Sequence, residues 1–248
     1  MKIYRMISAF AIVALFSGCE SDGASFDSPA ASGGGTVGQT GSLARFAITQ
    51  DRLFMADDQR LMTYDIADVE APLYVSSQYE NFVIQTLFAR DNNTLFAGGD
   101  RGMAIYNVSD GQPNLLDMYI HIQSCDPVVA DSTHAYVTLN SNNGCNGVSQ
   151  LDVLNVSDLS NIQEIRSISL DNPKGLCILG DRLYVCNNGV MVYDITDRDN
   201  PQFLRTVPIT DAVDIIAYRG SFFITTLTGV KIVDIDENGV VTERSSLW

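Results

Sequence analysis

Five cysteines, two histidines and 30 acidic residues are the groups in this 248-residue chain that could do chemistry. A structural zinc site takes four Cys or His ligands at short local spacings, such as Cys-x-x-Cys. No Cys-x-x-Cys occurs, and His121 and His134 are too few and too far apart, so neither a metal nor a cofactor is expected. Both histidines read as inert, His134 exposed beside a turn and His121 in a loop. An esterase elbow needs Gly-x-Ser-x-Gly, and the stretch from Gly147 to Leu151 lacks the last glycine. Calcium loops need spaced oxygen ligands and a turn glycine, which Asp57-Asp58 and Asp91-Asn92-Asn93 do not offer. What remains open is a pair of carboxylates acting on a glycan, for which the sequence holds no fixed spacing.

Cys19 stands apart from the other cysteines. Lys2 and Arg5 precede an apolar run from Met6 to Phe16, and Ser17-Gly18 lead directly into Cys19. The run is too short to span a bilayer, which takes about 20 residues, and fits the apolar part of a signal peptide. Together with the small pair before Cys19 it resembles the lipobox of bacterial lipoproteins. That resemblance implies cleavage before Cys19, a lipid on its thiol, and a place on the outer membrane or cell surface. Residues 1–19 then form the signal peptide and 20–42 a Gly- and Ser-rich tether, reaching about 25 Å on average. Removing two cations takes the formal net charge from −15 to −17. Nucleic-acid binding needs clustered Lys and Arg to neutralise phosphates, so that class of partner is excluded.

The rest of the chain repeats itself. Aligned on an Asp or Asn after an apolar triplet, it reads LMTYDIAD, MAIYNVSD, LDVLNVSD, VMVYDITD and VKIVDIDE. The anchors are Asp65, Asn107, Asn155, Asp194 and Asp234, spaced by 42, 48, 39 and 40 residues. Each repeat holds four short runs rich in β-branched and aromatic residues, separated by Gly, Asp and Asn turns. Both parities of these runs are apolar, so each strand must be covered on both faces. Four-stranded units of about 40 residues, each packed between neighbours, are the blades of a β-propeller. The expected fold is all-β, with five blades over residues 43–248.

The stretches GVMVYDITDRDNP and GVKIVDID resemble the LVIVD repeat of bacterial surface and secreted proteins. The resemblance implies a propeller and leaves the activity open. The third repeat departs from it by an insertion and a missing proline.

A residue present in every blade serves what every blade needs. The anchors are therefore expected to close turns by bonding their own downstream amides. Function is expected where the repeats differ, in the loops after the second and fourth strand of each blade. These loops hold Asp57, Asp58, Arg60, Asp100, Arg101, His121, Asp126, Asp171, Lys174, Asn187 and Asp211. Their mixture of acids and bases points to recognition of a polar partner, a protein or glycan of the envelope. The third repeat expands one such loop, Asn140 to Gly147, to include Cys145, opposite Cys125 at the same end of a hairpin. Four mature cysteines allow three pairings, and Cys125–Cys145 is the preferred bridge, worth about 3 kcal/mol. Cys177 and Cys186 lie diagonally on one hairpin face and either bridge or remain buried thiols, the latter being favoured. The expectation is a lipid-anchored, non-catalytic binding or assembly module. The alternative is a propeller hydrolase or lyase acting on glycans through carboxylates of that loop face.

Overall fold

The computed structural model describes residues 42–120, 127–140 and 148–247. The signal peptide, all of the tether but Ser42, and Cys19, His121, Cys125, Asp126 and Cys145 lie outside the described residues. The apolar runs form twenty strands in five antiparallel sheets of four. Blade 1 holds β1 (Phe46–Thr49), β2 (Arg52–Asp57), β3 (Arg60–Asp65) and β4 (Leu73–Tyr79). Blade 2 holds β5 (Ile84–Ala89), β6 (Thr94–Gly99), β7 (Gly102–Asn107) and β8 (Asn114–Ile120). Blade 3 holds β9 (Val128–Ala130), β10 (His134–Leu139), β11 (Gln150–Asn155) and β12 (Gln163–Ser169). Blade 4 holds β13 (Leu176–Leu179), β14 (Arg182–Cys186), β15 (Val190–Asp194) and β16 (Gln202–Val207). Blade 5 holds β17 (Ala212–Tyr218), β18 (Ser221–Thr226), β19 (Gly229–Ile235) and β20 (Val241–Leu247). Each blade is a simple meander, and the five make a β-propeller, as the repeats require.

Burial follows position in the blade. All six residues of β6 and of β10 are buried, because these strands are covered on both faces. The outermost strands β4, β8, β12 and β20 are mostly exposed; β12 and β20 are correspondingly polar, whereas β4 and β8 leave large side chains such as Leu73, Tyr79, Leu115 and Ile120 in solvent. Four apolar clusters seal the junctions between consecutive blades from 1 to 5. Phe54 and Tyr106 fill the first, Phe96 the second, Tyr136 the third and Phe222 the fourth. Each such ring stabilises the fold by about 1.5–3 kcal/mol through area removed from water.

Two local features recur because the repeat recurs. The third and fourth strands of every blade slip register at the same place, from Thr63/Tyr64 in blade 1 to Ile232/Val233 in blade 5. A bulge there increases the twist each blade needs. Gly189 opens the third strand of blade 4 at φ +127°, and an added Cβ would meet the Val207 carbonyl at 2.9 Å. Only glycine fits that approach.

Ser42 to Ala44, the first described residues, lie against the inner strands. The Ser42 hydroxyl donates to Asp214 Oδ1 at 2.9 Å and accepts from the Leu176 amide at 2.8 Å. The Ala44 carbonyl then accepts from Leu87 at 2.7 Å. Three residues thus tie together the inner strands of blades 2, 4 and 5. Among the described residues no helix is long and apolar enough to cross a membrane.

Candidate functional site

Four of the five repeat anchors do what their position in a turn demands. Asp65 accepts from the Ala67 amide at 2.9 Å, Asn107 from Ser109 at 2.8 Å, Asn155 from Ser157 at 2.9 Å and Asp194 from Thr196 at 2.8 Å. Hydrogen bonds from Thr196 hold the Asp194 carboxyl below the usual carboxylate range, with Arg182 adding to the effect. Asp234 differs. It accepts from the Ser221 hydroxyl at 2.7 Å and from Arg244 Nε at 2.7 Å, while Asp236 makes the turn by accepting from Asn238 at 2.9 Å. The departure follows from the sequence, since the fifth repeat reads Asp236-Glu237 where the others have a small residue and then Asp.

The loops after the second and fourth strands share one end of the blades. Asp57 and Arg60 form an ion pair across a tight turn, and Asp58, in the left-handed region at φ +52°, faces Arg45 at 3.7 Å. Asp100 turns back on its own blade, accepting from the Val83 amide at 2.8 Å, and Arg101 donates to the Asn81 carbonyl at 3.3 Å. Lys174 and Asn187 are held by the backbone. The Lys174 carbonyl accepts from Thr138 at 2.6 Å, and the buried Asn187 side chain accepts from the Asn172 amide at 2.7 Å. Asp171 and Asp211 are exposed, Asp211 at φ +56°. The side chains of Asp57, Asp58, Arg60 and Arg101 are therefore presented outward, whereas Asn187 is spent on its own loop.

Sequence reasoning passed over two acids that the fold draws inward, Asp152 buried and Asp214 half-buried. Asp214 accepts from Ser42 and from the amides of Leu43 at 3.3 Å and Ile215 at 3.0 Å, and burial pushes its carboxyl up. It packs so closely on Gly175 that a Cβ there would collide with its carboxylate. Asp152, fully buried, accepts from Gln150 at 2.6 Å, Ser167 at 2.7 Å and the Tyr119 hydroxyl at 3.3 Å. That same hydroxyl lies 2.7 Å from Glu164, so a tyrosine and a serine bridge two carboxylates at the junction of blades 2 and 3. Burial, with the Glu164 charge adding to it and the hydrogen bonds from Ser167, Gln150 and Tyr119 opposing it, sets the Asp152 carboxyl above its usual range. The signal was present in the sequence: each is a lone acid within an apolar strand, AVDIIAY and QLDVLN.

His134 corrects an expectation. It is buried, not exposed, with Nε2 2.7 Å from Asp199 and Nδ1 2.8 Å from the Thr133 hydroxyl. It sits at the edge of blade 3 where the turn between the last strands of blade 4 closes over it. Sequence proximity to a turn did not reveal that second blade. Cys177 and Cys186 are buried free thiols, and burial pushes both well above the ordinary thiol range.

Two grooves open on the opposite end of the propeller from the expected binding face. One, of about 300 Å³, lies between blades 4 and 5 and is lined by Arg182, Tyr184, Leu204, Arg205 and Glu237. The other, of about 230 Å³, lies between blades 2 and 3 beside Arg90 and Asp131. Neither is lined by Asp152 or Glu164. Among the described residues no group of three or more His, Cys, Asp or Glu is placed to hold a metal ion.

No family model matches the chain, and no curated protein is detected as its relative. Solved structures do match. The chain is a β-propeller by likeness as well as by its own sheets. A protein of unknown function from Desulfotomaculum acetoxidans aligns with a TM-score of 0.66 at 13% identity, over 85% of this chain and 71% of that one. The periplasmic gluconolactonase PpgL of Pseudomonas aeruginosa aligns with a TM-score of 0.63 at 13% identity, over 79% and 67%. BamB of Moraxella catarrhalis aligns with a TM-score of 0.51 at 15% identity, over 81% of this chain and 59% of that one. At such identities the likeness is one of fold.

Proposed function

We propose that this protein is a lipid-anchored, non-catalytic β-propeller of the LVIVD-repeat type that binds or assembles a polar partner at the bacterial cell envelope. The observation that carries the reading is how the acids are used. The conspicuous repeated carboxylates and amides are consumed in turns, while the non-repeating loops hold charged side chains outward on rigid strands. Loops on a fixed scaffold are where recognition concentrates. Support for the compartment comes from the lipobox-like start and from the fold of a periplasmic gluconolactonase and of BamB. Ser42, the first described residue, is bonded beside the starts of β13 and β17, at the same end as those loops.

The test is charge reversal. Asp58→Lys with Arg101→Glu should weaken a pull-down of the native partner at least tenfold, the loss of roughly 1.4 kcal/mol or more expected for charged contacts. The comparison positions are Glu70 and Glu237, exposed on the opposite loops. Arg90 and Asp199 do not serve, because they are spent on Asp91 and His134. Equal or inverted effects at the two ends would place recognition elsewhere. The alternative reading, a hydrolase or lyase acting on glycans, draws on the fold shared with the gluconolactonase and on the Asp152–Glu164 pair. That pair lies in strands β11 and β12 and not in the loops.

A further inference from the structure

The second strand of every blade carries an aromatic ring at the same register position: Phe54, Phe96, Tyr136, Tyr184 and Phe223. Only the two tyrosines bring a hydroxyl that must find a partner. Tyr136 has one, donating to the Arg198 carbonyl at 3.2 Å in the turn between the third and fourth strands of blade 4. Tyr184 is 8% exposed and packs its ring on Phe222, with centroids 4.6 Å apart. No group among the described residues meets its hydroxyl.

The difference lies in the corresponding turn of blade 5. In blades 1, 3 and 4 this turn closes by bonds from Ala71 to Asp68, Asn161 to Asp158 and Asn200 to Asp197, each Asp standing three residues after its anchor. In blade 5 the bond runs from Gly239 to Asp236, two residues after Asp234. The turn closes one residue early, and the Asp236 carboxylate is taken up by the amides of Asn238 and Val240. A groove of about 300 Å³ is left over Tyr184. A buried hydroxyl without a partner is costly, and an acceptor entering that groove relieves the cost.

Two guanidiniums flank the hydroxyl. Burial pushes the Tyr184 phenol up, and the charges of Arg182 and Arg205 pull against it. Arg182 is already neutralised by Asp194 at 2.8 Å. Arg205 is not. One of its nitrogens donates to the Glu237 carbonyl at 2.5 Å, as Ser76 and Arg166 on other fourth strands reach the next blade's turn. Among the described residues no carboxylate faces it. The groove thus offers one open positive charge and one free hydroxyl donor, beside apolar walls of Val192, Leu204 and Ile235. Asp181 is held by Arg198 and Asp236 by its own turn, so neither answers Arg205. With Glu237 they line the same groove, and their charge disfavours an anion carrying more than one negative charge.

We propose that this groove binds a small monocarboxylate with an apolar body, the carboxylate accepting from Tyr184 and Arg205 and the body lying on Val192, Leu204 and Ile235. The fork of a guanidinium matches the two oxygens of a carboxylate. The site lies at the end of the blades opposite the charged loops and does not depend on them.

The experiment titrates the full chain with three probes that share one body, hexanoate, hexyl phosphate and hexylammonium, followed by ligand-observed NMR. Hexanoate should bind, hexyl phosphate at least tenfold more weakly, and hexylammonium not at all. Tyr184→Phe should weaken hexanoate at least tenfold and leave the melting temperature near the parent's, since Phe54 and Phe96 hold the same place in blades 1 and 2. Arg205→Ser, which copies Ser76 of blade 1, should weaken it as much, whereas Asp58→Lys on the opposite loops should not change it. No binding of hexanoate, binding of hexyl phosphate as tight as hexanoate, or unchanged affinity in either Tyr184→Phe or Arg205→Ser would each overturn the proposal.

Discussion

Arg182 stands directly opposite Asp194 across strands β14 and β15, with Nη1 2.8 Å from Oδ2. Arg52 and Asp65 repeat the pair in blade 1 at 2.6 Å. Where the anchor is Asn107 or Asn155, the residue opposite is Thr94 or His134 instead of arginine. Within one chain, a carboxylate stands where a guanidinium faces it, and an amide stands where none does. Such matching is what a structural role requires, since the turn bond needs only an oxygen acceptor and the charge answers its cross-strand neighbour.

The Asp194 series tests this division of labour. Asp194→Asn keeps the oxygen that the Thr196 amide uses and loses only the ion pair, which is exposed enough to be worth little. Asp194→Ala loses both. Calorimetry should show a small drop in melting temperature for Asn and a clearly larger one for Ala, with partner binding per folded molecule unchanged in each. Unchanged melting together with abolished binding would make Asp194 a recognition residue.

Asp152 should make stability depend on pH in an unusual direction. Burial raises its carboxyl in the folded chain, so the native state holds that proton to higher pH than the unfolded chain, whose Asp titrates near about 3.9. The native state therefore loses stability from this group as pH rises from about 4 through the raised value, and the loss is complete above it. Asp152→Asn keeps the shape and an acceptor for Ser167 and Gln150. Urea midpoints measured from pH 4 to 8 should fall less steeply for the variant than for the parent. A parallel pair of curves would mean that Asp152 is ionised throughout.

Cys177 and Cys186 should be silent toward thiol reagents until the fold opens. Both are buried, and burial disfavours the reactive thiolate. Iodoacetamide labelling without reductant, read by peptide mapping, should modify neither site in the native chain and both in guanidinium chloride. Protection that survives unfolding and disappears with reductant would indicate a disulfide.

Cys19 should carry the anchor. Mass spectrometry of the envelope form should find a mature chain beginning at Cys19 with lipid on it, and Cys19→Ala should release the protein from the membrane fraction. A mature end elsewhere, or an unmodified thiol, removes the lipid from the proposed function.

The number of blades, their four strands and the structural use of Asp65, Asn107, Asn155 and Asp194 could be read from the sequence alone. Strand period, turn chemistry and internal repetition are local properties, and five copies average out the noise of any one of them. The fifth anchor shows the limit of that reading, because Asp234 answers Arg244, a partner set by strand pairing. Tertiary structure alone decided the rest. The buried His134 bonds Asp199, 65 residues away, and the half-buried Asp214 bonds Ser42, 172 residues away. Phe223 and Tyr184 occupy the same place in the same pattern, yet Tyr184 is buried and Phe223 only half-buried. Periodicity specifies which side chains point toward a neighbour. Whether that neighbour is there depends on how the ring closes, which no single repeat encodes.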